Sequence, residues 1–143
     1  MGGAMKHNEP VHKIMADDPL SVHEQQKVSD AHRLILERGI HHVPVVSGRR
    51  LIGLISSTDL LRVSWGDTNK QDPRQVDTLL DTLTIRDVMQ EDVVTVRRTD
   101  TVRRAAELLS QGNYHSLPVV DDDQGLVGMV TSTDLIEYLL DQY

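Results

Sequence analysis

The chain has 143 residues, a formal net charge of −7 and no cysteine. The acidic balance argues against a general nucleic-acid binder, whose affinity rests on neutralising phosphates. The missing thiols exclude a disulfide framework, a thiol nucleophile and a thiolate metal site.

No apolar run approaches the ~20 residues that span a bilayer, so no membrane segment is expected. Met1-Gly2-Gly3-Ala4-Met5-Lys6 lacks the apolar core of a signal peptide, which leaves a cytoplasmic location as the expectation. Gly2-Gly3-Ala4 ahead of Met5 reads as a remnant of cloning.

In chain order, residues 1–10 read as an N-terminal tail, 11–63 as a first α/β unit, 64–83 as a linker and 84–143 as a second unit. A half-chain of about 60 residues is marginal alone, so stability is expected to depend on the halves pairing. Each unit reads as strand, helix, strand, strand, helix. In the first, Val28, Ala31, Leu34 and Ile35 share a helix face, with His32 beside them. The polar run His23–Lys27 delays the start of that helix.

The linker carries Asp72-Pro73, an N-cap with proline at the first helical position. Val76, Leu79, Leu80 and Leu83 then follow helical spacing. That helix either packs on its own unit or offers a docking surface. Thr84-Ile85-Arg86-Asp87 reads as a capping box, and Val11–Met15 occupies the matching place in the first unit.

In the second unit, Val94-Thr95-Val96 is a short β-rich run. Asp100 or Thr101 caps a helix bearing Val102, Ala105, Ala106 and Leu109, and Gly112-Asn113 supplies a left-handed stop. Leu117–Val120 and Leu126–Val130 form a hairpin. Ser132 or Thr133 caps the last helix, whose face carries Leu135, Ile136, Leu139 and Leu140.

The two units are copies. Met15–Val46 aligns with Met89–Val120 at a constant offset of 74, matching Asp18 with Asp92, Ala31 with Ala105, His41 with His115 and Pro44 with Pro118. One residue then enters where Asp121–Gly125 replaces Ser47–Arg50, and the offset becomes 75. An insertion confined to a polar, glycine-bearing stretch is what a hairpin turn tolerates.

The passage from third strand to last helix carries the chemistry. It reads Gly53-Leu54-Ile55-Ser56-Ser57-Thr58-Asp59 and Gly128-Met129-Val130-Thr131-Ser132-Thr133-Asp134. A helix N-terminus presents unpaired N–H groups and favours phosphate. The hydroxyls of Ser56 and Thr131 add donors there. Asp59 or Asp134, one turn on, suits the two hydroxyls of a ribose, as an acidic residue does in dinucleotide folds. The same residues serve equally as a cap and a helix-dipole partner. Ile40, Val43 and Pro44, with Tyr114, Leu117 and Pro118, are apolar walls suited to a base or to a core.

The order Asp87-Val88-Met89, Asp92-Val93-Val94-Thr95-Val96, an Ala105-Ala106 helix, Leu117-Pro118-Val119-Val120-Asp121, Gly128-Met129-Val130-Thr131 and Ser132-Thr133-Asp134-Leu135 resembles the cystathionine β-synthase (CBS) domain family. The resemblance covers Val11 to Tyr143, and both copies match. It implies an α/β fold of two β-α-β-β-α repeats packed through their sheets as a pseudo-twofold pair, often assembled as a disc-like homodimer. It implies regulatory binding of an adenosine ligand (AMP, ADP, ATP or S-adenosylmethionine) in the cleft between repeats. No metal and no required cofactor are implied.

By the same resemblance, Ser56 and Thr131 face phosphate while Asp59 and Asp134 face ribose. The base pocket maps to Leu20, His41, His42 and Val43 in the first copy, and to Val94, Tyr114, His115 and Leu117 in the second. Where the family often has Arg-His before the hydrophobic-Pro pair, this chain has His41-His42 and His115-Ser116. A fixed charge is thus replaced by one that requires protonation, and Lys13, Arg86, Arg97 and Arg98 are the candidate substitutes.

Three functional classes compete. The first is a non-catalytic ligand sensor acting on a separate protein effector, with no role for nucleic acid or membrane. The second is a ligand-free dimerisation scaffold. The third is an enzyme, for which the seven histidines show no ligand-type spacing such as His-Glu-x-x-His.

Overall fold

The computed structural model describes residues 8–64 and 73–143. A 3₁₀ turn (Val11–Lys13) leads to β1 (Ala16–Asp17), β2 (Val22–His23), α1 (Val28–Arg38), β3 (His42–Ser47), β4 (Arg50–Ser56) and α2 (Ser57–Ser64). Then come α3 (Pro73–Leu80), α4 (Ile85–Val88), β5 (Val96–Arg97), α5 (Val102–Ser110), β6 (Ser116–Val120), β7 (Leu126–Thr131) and α6 (Ser132–Asp141). The expected cap Asp72 and the start of the tail lie outside the described residues.

Two compact units form, Leu20–Val93 on one side and the residues up to Pro19 with Val94–Tyr143 on the other. The units do not follow the repeats. Ala16, from the first repeat, pairs with Met129 of the second. Gln90, its counterpart from the second repeat, bridges to Leu54 of the first. The leading segments are exchanged through equivalent pairings.

In the Leu20–Val93 unit, β2 runs parallel to β3, and β3 pairs antiparallel with β4. The hairpin turns through Gly48, whose φ of 62° suits a residue without Cβ. α1 starts at Val28, directly after the polar run but in register with Val102 at the start of α5, so it is not delayed relative to its copy. The Asp30 carboxylate accepts from the Lys27 N–H at 3.1 Å, and Gly39 at φ 64° ends the helix. Val28, Ala31, Val43, Val45 and Ile55 are fully buried in one cluster.

α3 packs inward. Leu80 joins this core, with Val76 and Leu83 against it, and Asp81 accepts from both the N–H and the hydroxyl of Ser29 at 3.0 and 2.8 Å. Of the two readings of the linker helix, the structure supports packing on its own unit. α4 carries the predicted box: Thr84 Oγ1 accepts from the Asp87 N–H, and the Asp87 carboxylate accepts from the Thr84 N–H.

In the other unit the strand order is β1-β7-β6-β5. Val11, Ala105, Leu117, Val119 and Val130 fill its core. The tail reaches this unit at Glu9, whose carbonyl accepts from the Val102 N–H at 2.7 Å. Thr101, rather than Asp100, caps α5 by accepting from the Arg104 N–H. Asp100 instead accepts from the Arg97 N–H. Gly112 has the expected positive φ, 81°.

Three expectations are corrected. The strand expected at Val94–Val96 forms at Val96–Arg97, because pairing to Val119 and Val120 begins only there. The cap of α6 is Thr131, not Ser132 or Thr133. The apolar face of α6 is divided: Leu135 packs on the core, whereas Ile136, Leu139 and Leu140 stay exposed.

Candidate functional site

The two strand-to-helix junctions have the same local build. At the end of β7, Thr131 Oγ1 accepts from the Asp134 N–H at 3.1 Å, and Asp134 Oδ2 accepts from the Thr131 N–H at 2.8 Å. At the end of β4, Ser56 Oγ accepts from the Asp59 N–H at 3.0 Å, and Asp59 Oδ2 accepts from the Ser56 N–H at 2.9 Å. The next amide is also taken, Ser132 by the His115 carbonyl at 3.0 Å and Ser57 by the His41 carbonyl at 2.9 Å. Three of the four amides that open each helix are therefore bonded within the protein. The hydroxyls only accept in these boxes, so each keeps its proton for a further acceptor.

The carboxylates differ in their second oxygen. Asp59 is 4% exposed, and its Oδ1 accepts from Gln90 Nε2 at 3.3 Å and lies 3.7 Å from Arg62 Nη1. Asp134 is partly exposed, and its Oδ1 has no partner among the described residues. Gln90 and Arg62 escaped the sequence reading. The repeat register held the signal, since their counterparts are Ala16 and Glu137.

The expected wall residues fall into two groups. Val43 and Leu117 have no exposure, and Pro44 and Pro118 are buried with them in β3 and β6. Leu20 is 40% exposed, His41 and His115 are exposed, and His42, Val94 and Tyr114 are partly so. Ser116, which the sequence marks only as a departure from the family pattern, lies opposite Thr131 in the β6–β7 register. It is buried, and its Oγ has no hydrogen-bond partner.

Asp134 lines a cleft of about 410 Å³ together with Glu9, Lys13, Glu137, Tyr138 and Asp141. Of the second copy's expected residues, only Asp134 reaches this cleft. Lys13, one of the candidate charge substitutes, is present there, 3.8 Å from Glu9. The others are engaged or remote: Arg86 pairs with Glu24 at 2.6 Å, Arg97 with Asp122 at 3.5 Å, and Arg98 is not among the lining residues. Among the described residues, no group of three or more His, Asp or Glu is arranged to hold a metal. Nor is any helix of theirs long and apolar enough to cross a membrane.

The duplicated junction and the exchanged pairing narrow the family, and the comparison decides it. The CBS domain profile matches residues 11–66 and again 85–141. This chain belongs to the CBS domain family. As a CBS pair it is 34% identical over 126 residues to a homoserine O-acetyltransferase of Methanocorpusculum labreanum, covering 87% of this chain and 23% of that protein. It is 30% identical over 151 residues to the uncharacterized protein MJ1426 of Methanocaldococcus jannaschii, covering 90% of each. The CBS domain pair of protein MJ0100, solved in complex with 5′-methylthioadenosine and S-adenosyl-L-methionine, superposes with a TM-score of 0.75 at 26% identity, over 94% of this chain and 98% of that one. The chain spans only 23% to 47% of the first curated relatives it matches.

Proposed function

We propose that this CBS pair is a regulatory module that binds an adenosine-containing ligand and passes a conformational change to a partner protein. The observation that carries this reading is the divided carboxylate of Asp134. Oδ2 is spent on the helix cap, while Oδ1 has no partner among the described residues and Asp134 itself lines a cleft. Capping and ligand binding are then compatible in one side chain. In this reading the ribose hydroxyls donate to Asp134 Oδ1, and the Thr131 hydroxyl and Thr133 N–H face the anionic or polar end of the ligand. The MJ0100 pair, with its adenosine-type ligands, supports the same class.

The local charge ranks the ligands. Among the described lining residues, Glu137 and Asp141 outnumber Lys13 around Asp134, so a polyphosphate is disfavoured there. S-adenosylmethionine and AMP are expected to bind more tightly than ATP, and the gap is expected to widen at low salt.

The module acts by population shift. Ligand favours one state only by the difference in its affinity for the two. Neither a catalytic step nor a cofactor is part of this reading. A homodimer is: Ile136, Leu139, Leu140 and Tyr143 form an exposed stripe at i, i+3, i+4 and i+7 of the C-terminal segment.

Thermal shift and calorimetry with AMP, ADP, ATP and S-adenosylmethionine test the proposal. A ligand that binds only the folded state raises its melting temperature, with about 2.7 kcal/mol of stabilisation at a hundredfold excess over Kd. At least one ligand is expected to produce a shift that Asp134→Ala weakens. No shift across the panel at millimolar concentration favours the ligand-free scaffold, and turnover of any nucleotide overturns the non-catalytic reading.

A further inference from the structure

We infer that the two copies are divided in role, with Asp59 closed by the chain's own Gln90 and Arg62 and Asp134 alone left open to a ligand. The inference rests on the proposed ligand function for its consequence, but its geometry is independent of it.

The closure is built from the backbone upward. Gln90 is anchored on β4 by two bonds, its N–H to the Leu54 carbonyl at 2.9 Å and the Leu54 N–H to its own carbonyl at 3.0 Å. Met89, the residue before it, is buried in the core. From that fixed position the side-chain amide reaches Asp59 Oδ1. Arg62, one turn along α2, adds a positive charge at the same oxygen. With Oδ2 bonded to the Ser56 N–H and the residue only 4% exposed, both oxygens of Asp59 are engaged and shielded, where Asp134 has one oxygen without a partner among the described residues.

The other copy repeats the backbone without the closure. Ala16 pairs with Met129 as Gln90 does with Leu54, and Met15 is packed against Gly128 as Met89 is against Gly53. Alanine has no amide to offer. At the position of Arg62 stands Glu137, which repels Asp134 where Arg62 attracts Asp59. Two substitutions in equivalent places thus turn a closed carboxylate into an open one. Gln90 and Arg62 are positioning residues that determine which site is available.

Two readouts on the full chain test this. The first needs no ligand: carbodiimide-driven labelling of carboxyl groups with glycine ethyl ester, read by mass spectrometry. Asp134 is expected to label several-fold faster than Asp59. The double variant Gln90→Ala/Arg62→Ala, shown to be folded by circular dichroism, is expected to raise Asp59 labelling to the level of Asp134. Equal labelling of both residues in the wild type overturns the inference, as does an Asp59 that stays protected in the folded double variant.

The second readout is titration with S-adenosylmethionine. The wild type is expected to bind one equivalent per chain, and Ala16→Gln to lose most of that affinity. Two equivalents in the wild type overturn the inference. Absence of binding at any site would defeat the proposed ligand function instead, and the labelling result would still decide whether Asp59 is closed.

Discussion

Thr131 and Asp134 bond each other twice, hydroxyl to amide and carboxylate to amide, at 3.1 and 2.8 Å. This reciprocal box sets both the start of α6 and the direction of the Asp134 carboxylate. Thr131→Ala removes the cap and is expected to cost about 0.5–2 kcal/mol in urea unfolding. Asp134→Asn keeps one acceptor oxygen for the Thr131 N–H and removes the charge. It is expected to preserve most of the stability while weakening adenosine-ligand binding roughly tenfold or more, as loss of a charged hydrogen bond does. Unchanged ligand affinity in a folded Asp134→Asn variant would show that Asp134 serves the helix alone.

Glu24 and Arg86 join the loop after β2 to α4. Arg86 donates to Glu24 Oε2 from Nη2 at 2.6 Å and from Nε at 2.9 Å, and Ser47 donates to Oε1 at 3.0 Å. The Arg86 bond first, and then that of Ser47, hold the Glu24 carboxyl below its ordinary value. Hydrogen bonds from the Thr84 backbone and hydroxyl groups lower Asp87 in the same way. A depressed carboxylate contributes stability that is present above its unfolded value and is lost as pH falls through the folded one. Melting temperature is therefore expected to fall below about pH 4.3, and less steeply in Glu24→Gln. The difference should shrink in high salt, since Arg86 is exposed and Glu24 only partly buried. Superimposed pH profiles of wild type and variant would remove this pair from the acid response.

Gly53 and Gly128 sit where a methionine crosses a strand. A Cβ at Gly53 would meet Met89 Sδ at 2.5 Å and the Gln90 carbonyl oxygen at 3.0 Å. At Gly128 it would meet Met15 Sδ at 2.5 Å and the Ala16 carbonyl oxygen at 2.9 Å. Each glycine-to-alanine substitution is expected to cost about 1–3 kcal/mol by overpacking. Met89→Ala should rescue Gly53→Ala only in part, because the backbone oxygen remains. Denaturant midpoints of the single and double variants measure this directly.

Ser116 is 6% exposed, and its hydroxyl lacks a partner. A buried unsatisfied hydroxyl costs about 1–3 kcal/mol. Ser116→Ala is therefore expected to leave stability unchanged or raise it by up to about 1 kcal/mol. A clear loss of stability would mean that the hydroxyl is bonded in solution.

By itself the sequence determined the repeat, the hairpins and the strand-helix-strand-strand-helix order of each repeat, though not the short β1. These rest on local signals, which are visible without tertiary contacts: β-branched runs, glycine stops and Ser/Thr-Asp spacings. It also placed Ser56 with Asp59 and Thr131 with Asp134, because a box spans only three residues. It misplaced the cap of α6 by one or two positions, since Ser132, Thr133 and Thr131 all carry a capping hydroxyl and only the end of the β6–β7 ladder selects among them.

The tertiary structure alone decided three matters. It exchanged the leading segments between the units, through pairings such as Ala16 with Met129 that no local periodicity encodes. It left most of the apolar side of α6 uncovered, although the pattern resembles a core-facing helix. And it separated the duplicated carboxylates. Asp59 and Asp134 are equivalent in sequence, but the amide that closes one comes from Gln90, 31 residues away. A carboxylate's availability depends on what reaches it through space.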